Sequence, residues 1–279
     1  MRYGFVLSAG TAIEQLELAV LAEQAGWDAV FPYETGYGVD PWTLLAAIAQ
    51  RTSRVRLGTM LTPLPWRRPW KLASQVVTLD HLSGGRAILA VGTGATDAVL
   101  GTTGEPVDLR TRAELLDEGI DIIAGLWEGR LTFEGKHYRV DFEARRAEFE
   151  RTARTIQQPR VPIWVVGAWP RPRSMRRVLR CDGLLPMVMD PSGQRDMTPD
   201  DIRAMLHWLR EHGSPRPGFD VVHGGETPSD DPAAAAAAIA PWAAAGVTWW
   251  LESRWQVDGG PEEQRRVLLE RINAGPPRA

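Results

Sequence analysis

Between Arg54 and Gly94 the chain reads RVRLGTMLTPLPWRRPWKLASQVVTLDHLSGGRAILAVGTG, two apolar runs separated by an amphipathic one. The run Arg54–Met60 is short and closed by Thr62-Pro63-Leu64-Pro65, a pattern that predicts a buried strand. Pro69 suits the first turn of a helix, Leu72, Val76 and Leu79 repeat on one helical face, and Gly84-Gly85 stops it. Ala87–Val91 then predicts a second buried strand. Two strands joined through a helix are parallel, because an antiparallel pair needs only a tight turn. Parallel strands must in turn be covered by helices on the sheet face.

The same unit recurs along the chain. Strands are predicted at Tyr3–Leu7, Asp28–Tyr33, Arg54–Met60, Ala87–Val91, Pro162–Val166, Gly183–Val188, Phe219–His223 and Thr248–Glu252. Thr11 to Glu14 is a capping-box pattern, Asp40-Pro41 an N-cap followed by a first-turn proline, and Thr198-Pro199-Asp200-Asp201 repeats that logic. Pro241 is expected to kink or split the alanine-rich segment Ser229–Gly246. Eight alternating units predict a closed (β/α)8 TIM barrel occupying residues 1–279 as one domain. A doubly wound open sheet fits less well, since SAGT after the first strand supplies a single glycine where a dinucleotide fingerprint needs several. The gap between the fourth and fifth strands is an insertion, about 95–160. It begins with a helix over Arg110–Trp127 and continues as a charged excursion, a surface helix or a lid.

Several function classes are disfavoured at once. A net charge of −3 gives no bulk attraction to nucleic acid or an anionic membrane, and no apolar stretch is long enough to span a bilayer. Cys181 is the only cysteine and the histidines are scattered, so no metal site is expected. Lys71 and Lys136 are the only lysines, and neither falls at a strand end where a Schiff base would form. With no signal-peptide pattern, a soluble cytoplasmic protein is expected.

Functional groups of such barrels gather at the C-terminal ends of the strands. That rule selects Tyr33, Glu34 and Thr35, then Thr59, Met60 and Thr62, then Gly92, Thr93 and Gly94. Further round are Gly167, Ala168 and Trp169, Met187 and Val188, His223, and finally Trp250, Glu252 and Trp255. Gly92–Gly94 and Gly167–Ala168 could present main-chain N–H groups to an anion, with Arg171 and Arg173 adding charge. Glycine at such positions also serves simply to turn the chain, and Gly224-Gly225 is a second place for a phosphate. Trp250 and Glu252 share one face of a strand, and Glu252 is expected in the pocket. Glu34, Tyr33, His223 and Glu252 are the candidate acid–base residues.

LDHLSGGR followed by an apolar strand and GTG, with RLGT and LTPLP before it, resembles the luciferase-like flavin and F420-dependent oxidoreductases. So do AEQAGWDAVF, DPWTLLAAIA, LLDEGIDIIAGLWEG, FEGKHYRV, VPIWVVGAWPRPRSMRR and TWWLE, in that order. The resemblance implies a cofactor, F420 or FMN, at the barrel mouth, its phosphate near Gly167, Ala168, Met187 and Val188. It implies a non-proline cis peptide at Thr59-Met60, behind the ring. It also puts an Asp/Glu-His pair where this chain has Glu34-Thr35, and a glutamate, in sugar-phosphate oxidising relatives, where it has Ala95. The implied activity is F420-dependent hydride transfer to or from a small organic substrate. Its alternatives are an FMN-dependent two-component monooxygenase fed by a separate reductase, and a non-catalytic flavin-binding barrel. A homodimer is implied by analogy.

Overall fold

The computed structural model describes residues 1–95, 102–255 and 257–277. Its strands are β1 (Arg2–Leu7), β2 (Ala29–Pro32), β3 (Arg56–Leu57), β4 (Thr62–Pro63), β5 (Leu89–Gly92), β6 (Thr132–Glu134), β7 (Arg139–Asp141), β8 (Ile163–Trp169), β9 (Gly183–Asp190), β10 (Gly193–Arg195), β11 (Asp220–Gly225) and β12 (Trp249–Glu252). The helices are α1 (Ala12–Gln24), α2 (Pro41–Arg51), α3 (Pro69–Ser83), α4 (Leu109–Trp127), α5 (Arg146–Thr152), α6 (Pro172–Val178), α7 (Pro199–His212), α8 (Pro232–Ala245) and α9 (Gly260–Asn273).

The strands run β3-β2-β1-β12-β11-β9-β8-β5 around the sheet, each neighbouring pair parallel. A parallel bridge between Leu57 and Ala87 joins the ends. The Leu57 N–H donates to Arg86 O at 2.9 Å and the Ile88 N–H to Leu57 O at 2.8 Å, so the ring is closed as a (β/α)8 barrel. The insertion lies between β5 and β8. Its described part contains α4, the antiparallel hairpin β6–β7 and the short helix α5.

Helix starts follow the sequence. Thr11 and Glu14 form the expected capping box, Asp40 accepts from the Thr43 N–H at 2.8 Å, and Thr198 and Asp201 form the second box. Two local expectations are corrected. The third strand does not run from Arg54 to Met60: β3 stops at Leu57, and the chain bulges before rejoining the sheet as β4, beside β5. Gly58 explains the break, since a Cβ there would sit 2.8 Å from Ile88 O and 2.9 Å from the Phe31 ring. Pro241 neither splits nor ends α8, because Pro241 and Ala237 one turn earlier are both exposed, where water can take the freed carbonyl.

The barrel strands sort their side chains into two layers. Val6, Phe31, Ile88, Ala90, Trp164, Trp249 and Leu251 fill the lumen, while a larger cluster packs between barrel and helices. Inside, Trp164 lies 5.4 Å from Trp249 and 5.6 Å from Phe31, ring centre to ring centre. At the N-terminal end of the barrel Asp220 accepts from Trp164 Nε1 at 3.2 Å and from Arg2, whose guanidinium lies 4.4 Å from the centre of the Trp249 ring.

This sorting corrects the placement of two candidate residues. With Trp249 and Leu251 inside, Trp250 and Glu252 must face the helices. Glu252 is fully buried beneath α9, not in the pocket. Its carboxylate accepts from the Thr227 N–H at 2.9 Å and from Thr227 Oγ1 at 2.7 Å, with Arg271 of α9 at 3.5 Å. Arg271 donates in turn to Thr227 Oγ1 at 2.9 Å and to Gly275 O at 2.8 Å. His223 pairs in register with Trp250 and also turns outward, its ring 3.8 Å from that of Trp242 on α8. Burial pushes the His223 pKa from 6.5 down to about 4.

Two stability measurements follow. Replacing Glu252 by Ala strands Arg271 in the core, and denaturant unfolding should show a loss of about 3–5 kcal/mol. For His223, the unfolded chain takes up a proton below pH 6.5 that the folded chain refuses until about pH 4. That histidine's contribution is therefore intact above pH 6.5 and lost as the pH falls toward 4, amounting to about 3 kcal/mol. His223→Phe should flatten this acid limb, and an unchanged limb would refute the assignment.

Candidate active site

At the C-terminal ends of the barrel strands, Met60, Leu61 and Val166 pack onto the top of the lumen cluster. They make an apolar floor across the mouth. Gly92 is required by this packing, as a Cβ there would lie 3.0 Å from Val166 Cγ2 and 3.1 Å from Leu61 Cδ1. Gly94 adopts φ +79°, a backbone turn that an L side chain resists, and the carbonyls of Thr93 and Gly94 accept from Arg112 of α4 at 3.1 and 2.8 Å.

The segment under the floor is held from outside. Thr59 and Thr62 are fully buried, their hydroxyls 2.8 Å apart, and Trp42 Nε1 of α2 donates to Thr62 at 3.0 Å. The non-proline cis peptide is at Met60-Leu61, one residue beyond the expected Thr59-Met60. Thr59 is fixed by Thr62, and the Met60 N–H donates to Pro32 O at 3.0 Å, so the backbone keeps to its strand neighbour as far as Met60.

The anion cradle expected at Gly167–Ala168 is built differently. Gly167 faces α6, where a Cβ would come within 2.4 Å of Leu184 Cδ1 and 3.2 Å of Met175 Sδ, so this glycine admits the helix rather than a ligand. The Ala168 N–H is already spent on Ser174 Oγ at 2.9 Å. Arg171 and Arg173 are exposed at the start of α6. Met187, in register with Ala168, is half-buried, and Val188, in register with Trp169, is buried in the outer layer.

The polar centre of the mouth is Glu34. Arg67 Nε donates to Glu34 Oε1 at 2.6 Å, and the same guanidinium reaches Asp40 at 3.2 Å and Gln75 at 3.3 Å. Glu34 Oε2 is buried and has no hydrogen-bond partner. Burial pushes the Glu34 carboxyl above its usual range, and the opposing pulls of Arg67 and, more weakly, of the nearby Thr62 hydroxyl do not offset it. Beside Glu34, Tyr33 meets Trp255 edge to face at 5.7 Å. A cavity of about 390 Å³ opens here, bordered by Glu34, Thr35, Tyr37, Asp40, Trp66, Arg67 and Glu105. A larger hollow, about 580 Å³, lies on the flank between α3, the end of α4 and α5, away from the strand ends.

Structure thus brings Glu34, Tyr33, Met60, Gly92, Thr93 and Gly94 to the mouth, and holds Thr59 and Thr62 behind it. It sends His223 and Glu252 to the far side of their strands. Sequence reading missed Arg67 and Asp40 as partners of Glu34. Arg67 lies past the bulge and the turn that follows β4, so its approach to Glu34 leaves no local pattern in the sequence.

A family model described as luciferase-like monooxygenase matches residues 4–275. A Mycobacterium tuberculosis protein named as a coenzyme F420-dependent oxidoreductase is 34% identical over 82% of this chain and 66% of its own length. An F420-dependent glucose-6-phosphate dehydrogenase of Intrasporangium calvum is 32% identical over 69% of this chain and 64% of its own. The chain spans less than two thirds of the length of either relative. Among solved structures, the monooxygenase RslO1 of Streptomyces bottropensis superposes with a TM-score of 0.72 over 98% of both chains at 22% identity, a likeness of fold.

The Glu34–Arg67 pair can be probed directly. Arg67→Met removes the positive charge that favours ionised Glu34, so the Glu34 titration midpoint should move further upward when followed by carboxyl carbon NMR. A midpoint that stays or falls would show that the pairing is absent in solution.

Proposed function

Because the chain belongs to the luciferase-like monooxygenase family, we propose that it is an F420-dependent oxidoreductase transferring hydride to or from a small organic substrate. The observation that carries this reading is the apolar floor of Met60, Leu61 and Val166 at the barrel mouth, where the buried Glu34 carboxyl also stands, past the end of β2. The relative matched over most of this chain, named for coenzyme F420, supports it.

The residues at the mouth fit a flat redox ring. Met60, Leu61 and Val166 offer a surface without competing polar atoms, and Gly92 keeps it level. The Gly92–Gly94 turn follows β5 at the same end of the barrel, and Arg173, exposed at the start of α6, would be available to a phosphate group of the cofactor. F420, when bound, supplies a carrier for two electrons as hydride and does not readily activate oxygen. What this chain contributes is orientation on the floor, water exclusion by the surrounding rings, and an acid–base group at Glu34 Oε2 with Tyr33 adjacent. Thr35 and Ala95 stand where proton-transfer groups of sugar-phosphate oxidising relatives are expected, so glucose-6-phosphate oxidation is disfavoured here. FMN is the alternative cofactor, and an FMN monooxygenase would need reduced flavin from a separate reductase. Among the described residues no helix is long and apolar enough to cross a membrane.

Titration of the purified protein with F420 and with FMN, followed by fluorescence quenching, separates the readings. F420 should saturate the protein at a concentration at least roughly tenfold below that of FMN, a gap of about 1.4 kcal/mol. Tight FMN binding with none of F420 would overturn the proposal.

A further inference from the structure

The hollow of about 580 Å³ on the flank is roofed by a helix that contributes nothing to the core. Arg146, Phe149, Glu150 and Ala153, spaced i, i+3, i+4 and i+7, put one face of α5 along it, yet no residue of α5 is buried. Each of the other described α-helices buries at least three residues. The chain is pinned on both sides of α5. Before it, Glu118 of α4 accepts from the N–H groups of Lys136 at 2.8 Å and Tyr138 at 3.0 Å, which fixes the β6–β7 hairpin. After it, the fully buried Asp80 of α3 accepts from the Ile156 N–H at 2.6 Å and from the Gln157 side-chain amide at 2.8 Å. A short helix draws its stability from packing, and one tethered over a hollow gains a packed face only when the hollow is filled.

Trp70 and Val77 of α3, Leu126 and Trp127 of α4, Phe142 and Phe149 supply apolar walls, mostly aromatic. Walls of that kind around such a volume suit a small molecule with a flat ring system. Charge selects among the molecules that would fit. Both carboxylates on the border are matched, Glu128 by Arg130 at 3.2 Å and Glu150 by Arg146 at 3.9 Å. Lys71 of α3 and Arg154 beyond α5 also border the hollow and make no ion pair among the described residues. The two cations belong to opposite ends of α3: Lys71 stands in its first turn, whereas Arg154 O lies 2.6 Å from Nε2 of His81 in its last. The first turn is the positive end of the helix, so an anion is better placed at Lys71 than at Arg154. An ammonium would meet only carboxylates that are already engaged.

We propose that this hollow is an accessory binding site for an aromatic carboxylate, its rings held between α3 and Phe149 of α5 and its carboxylate paired with Lys71. The hollow lies away from the strand ends, so its assignment is independent of the cofactor's at the mouth.

A matched series tests it: 2-naphthoate, 2-naphthylmethanol and 2-naphthylmethylammonium, which share one ring system and differ in charge. Each is titrated into the full-length protein and followed by ligand-observed NMR, and the naphthoate titration is repeated with excess F420. Naphthoate should bind roughly three- to fivefold more tightly than the alcohol, the size of a partly exposed ion pair, and more tightly still than the ammonium. Phe149→Ala should weaken all three by roughly three- to tenfold with thermal unfolding unchanged, since α5 buries nothing. Lys71→Met should bring naphthoate down to the affinity of the alcohol, and Arg154→Met should not. The proposal is overturned if none of the three binds, if the alcohol or the ammonium binds as tightly as naphthoate, or if Phe149→Ala changes nothing. Loss of the carboxylate preference in Arg154→Met but not in Lys71→Met would overturn the pairing. Displacement of naphthoate by F420 would put it at the mouth and overturn the separate site. Sedimentation showing a dimer that Phe149→Ala breaks would assign the hollow to a second copy of the chain instead. The selective naphthoate pattern in protein that takes no F420 would leave this site standing and sink the cofactor reading.

Discussion

Successive side chains of a strand point to opposite sides, and in a closed barrel that pleat decides which residues can ever meet a ligand. Here Trp249 and Leu251 turn into the lumen, so Glu252 cannot, whatever its position along the strand. The same alternation on β11 places Val222 inside and His223 among the rings of α8. What remains for the mouth comes from loops just past the strand ends and from the bulge between β3 and β4. The side chains there escape the strict two-residue period, and the bulge is what lets Met60 and Leu61 share one floor.

Electrostatics at the mouth follow from the same geometry. Glu34 follows β2 and Arg67 the turn after β4, and the guanidinium pairs with that carboxylate while being held by a second at Asp40. Burial works against ionisation of Glu34 and Arg67 works for it. The result is a carboxyl group held between two opposed influences, with one oxygen paired to Arg67. By contrast, Glu252 has both oxygens committed and ties β12 to α9 through Thr227 and Arg271. Two glutamates at strand ends thus have different work because their strands present them to different layers.

Most of the architecture is legible in the sequence, because it rests on features that sequence carries directly. Alternating apolar runs and amphipathic segments, with capping residues at Thr11, Asp40 and Thr198, mark the strand–helix units without ambiguity. In WWLE the alternation separates Trp249 and Leu251 from Trp250 and Glu252, but a carboxylate at a strand end suits either a pocket or a buried ion pair, and Arg271, its partner, is distant in sequence. The reason for Gly167 is not legible either, since only the packed structure shows Leu184 and Met175 closing on it. Early termination of the third strand depends on the Phe31 ring and the Ile88 carbonyl, which are distant in sequence. The Glu34–Arg67 pair is not marked in the sequence, because an ion pair between two loops leaves no local pattern.

The lower lumen has one further meaning. Phe31, Trp164 and Trp249 fill it, and Arg2 and Asp220 close its far end, so among the described residues the barrel is a cup closed at its N-terminal end. With the far end closed, the floor of Met60, Leu61 and Val166 can be approached from the strand-end side and not through the lumen.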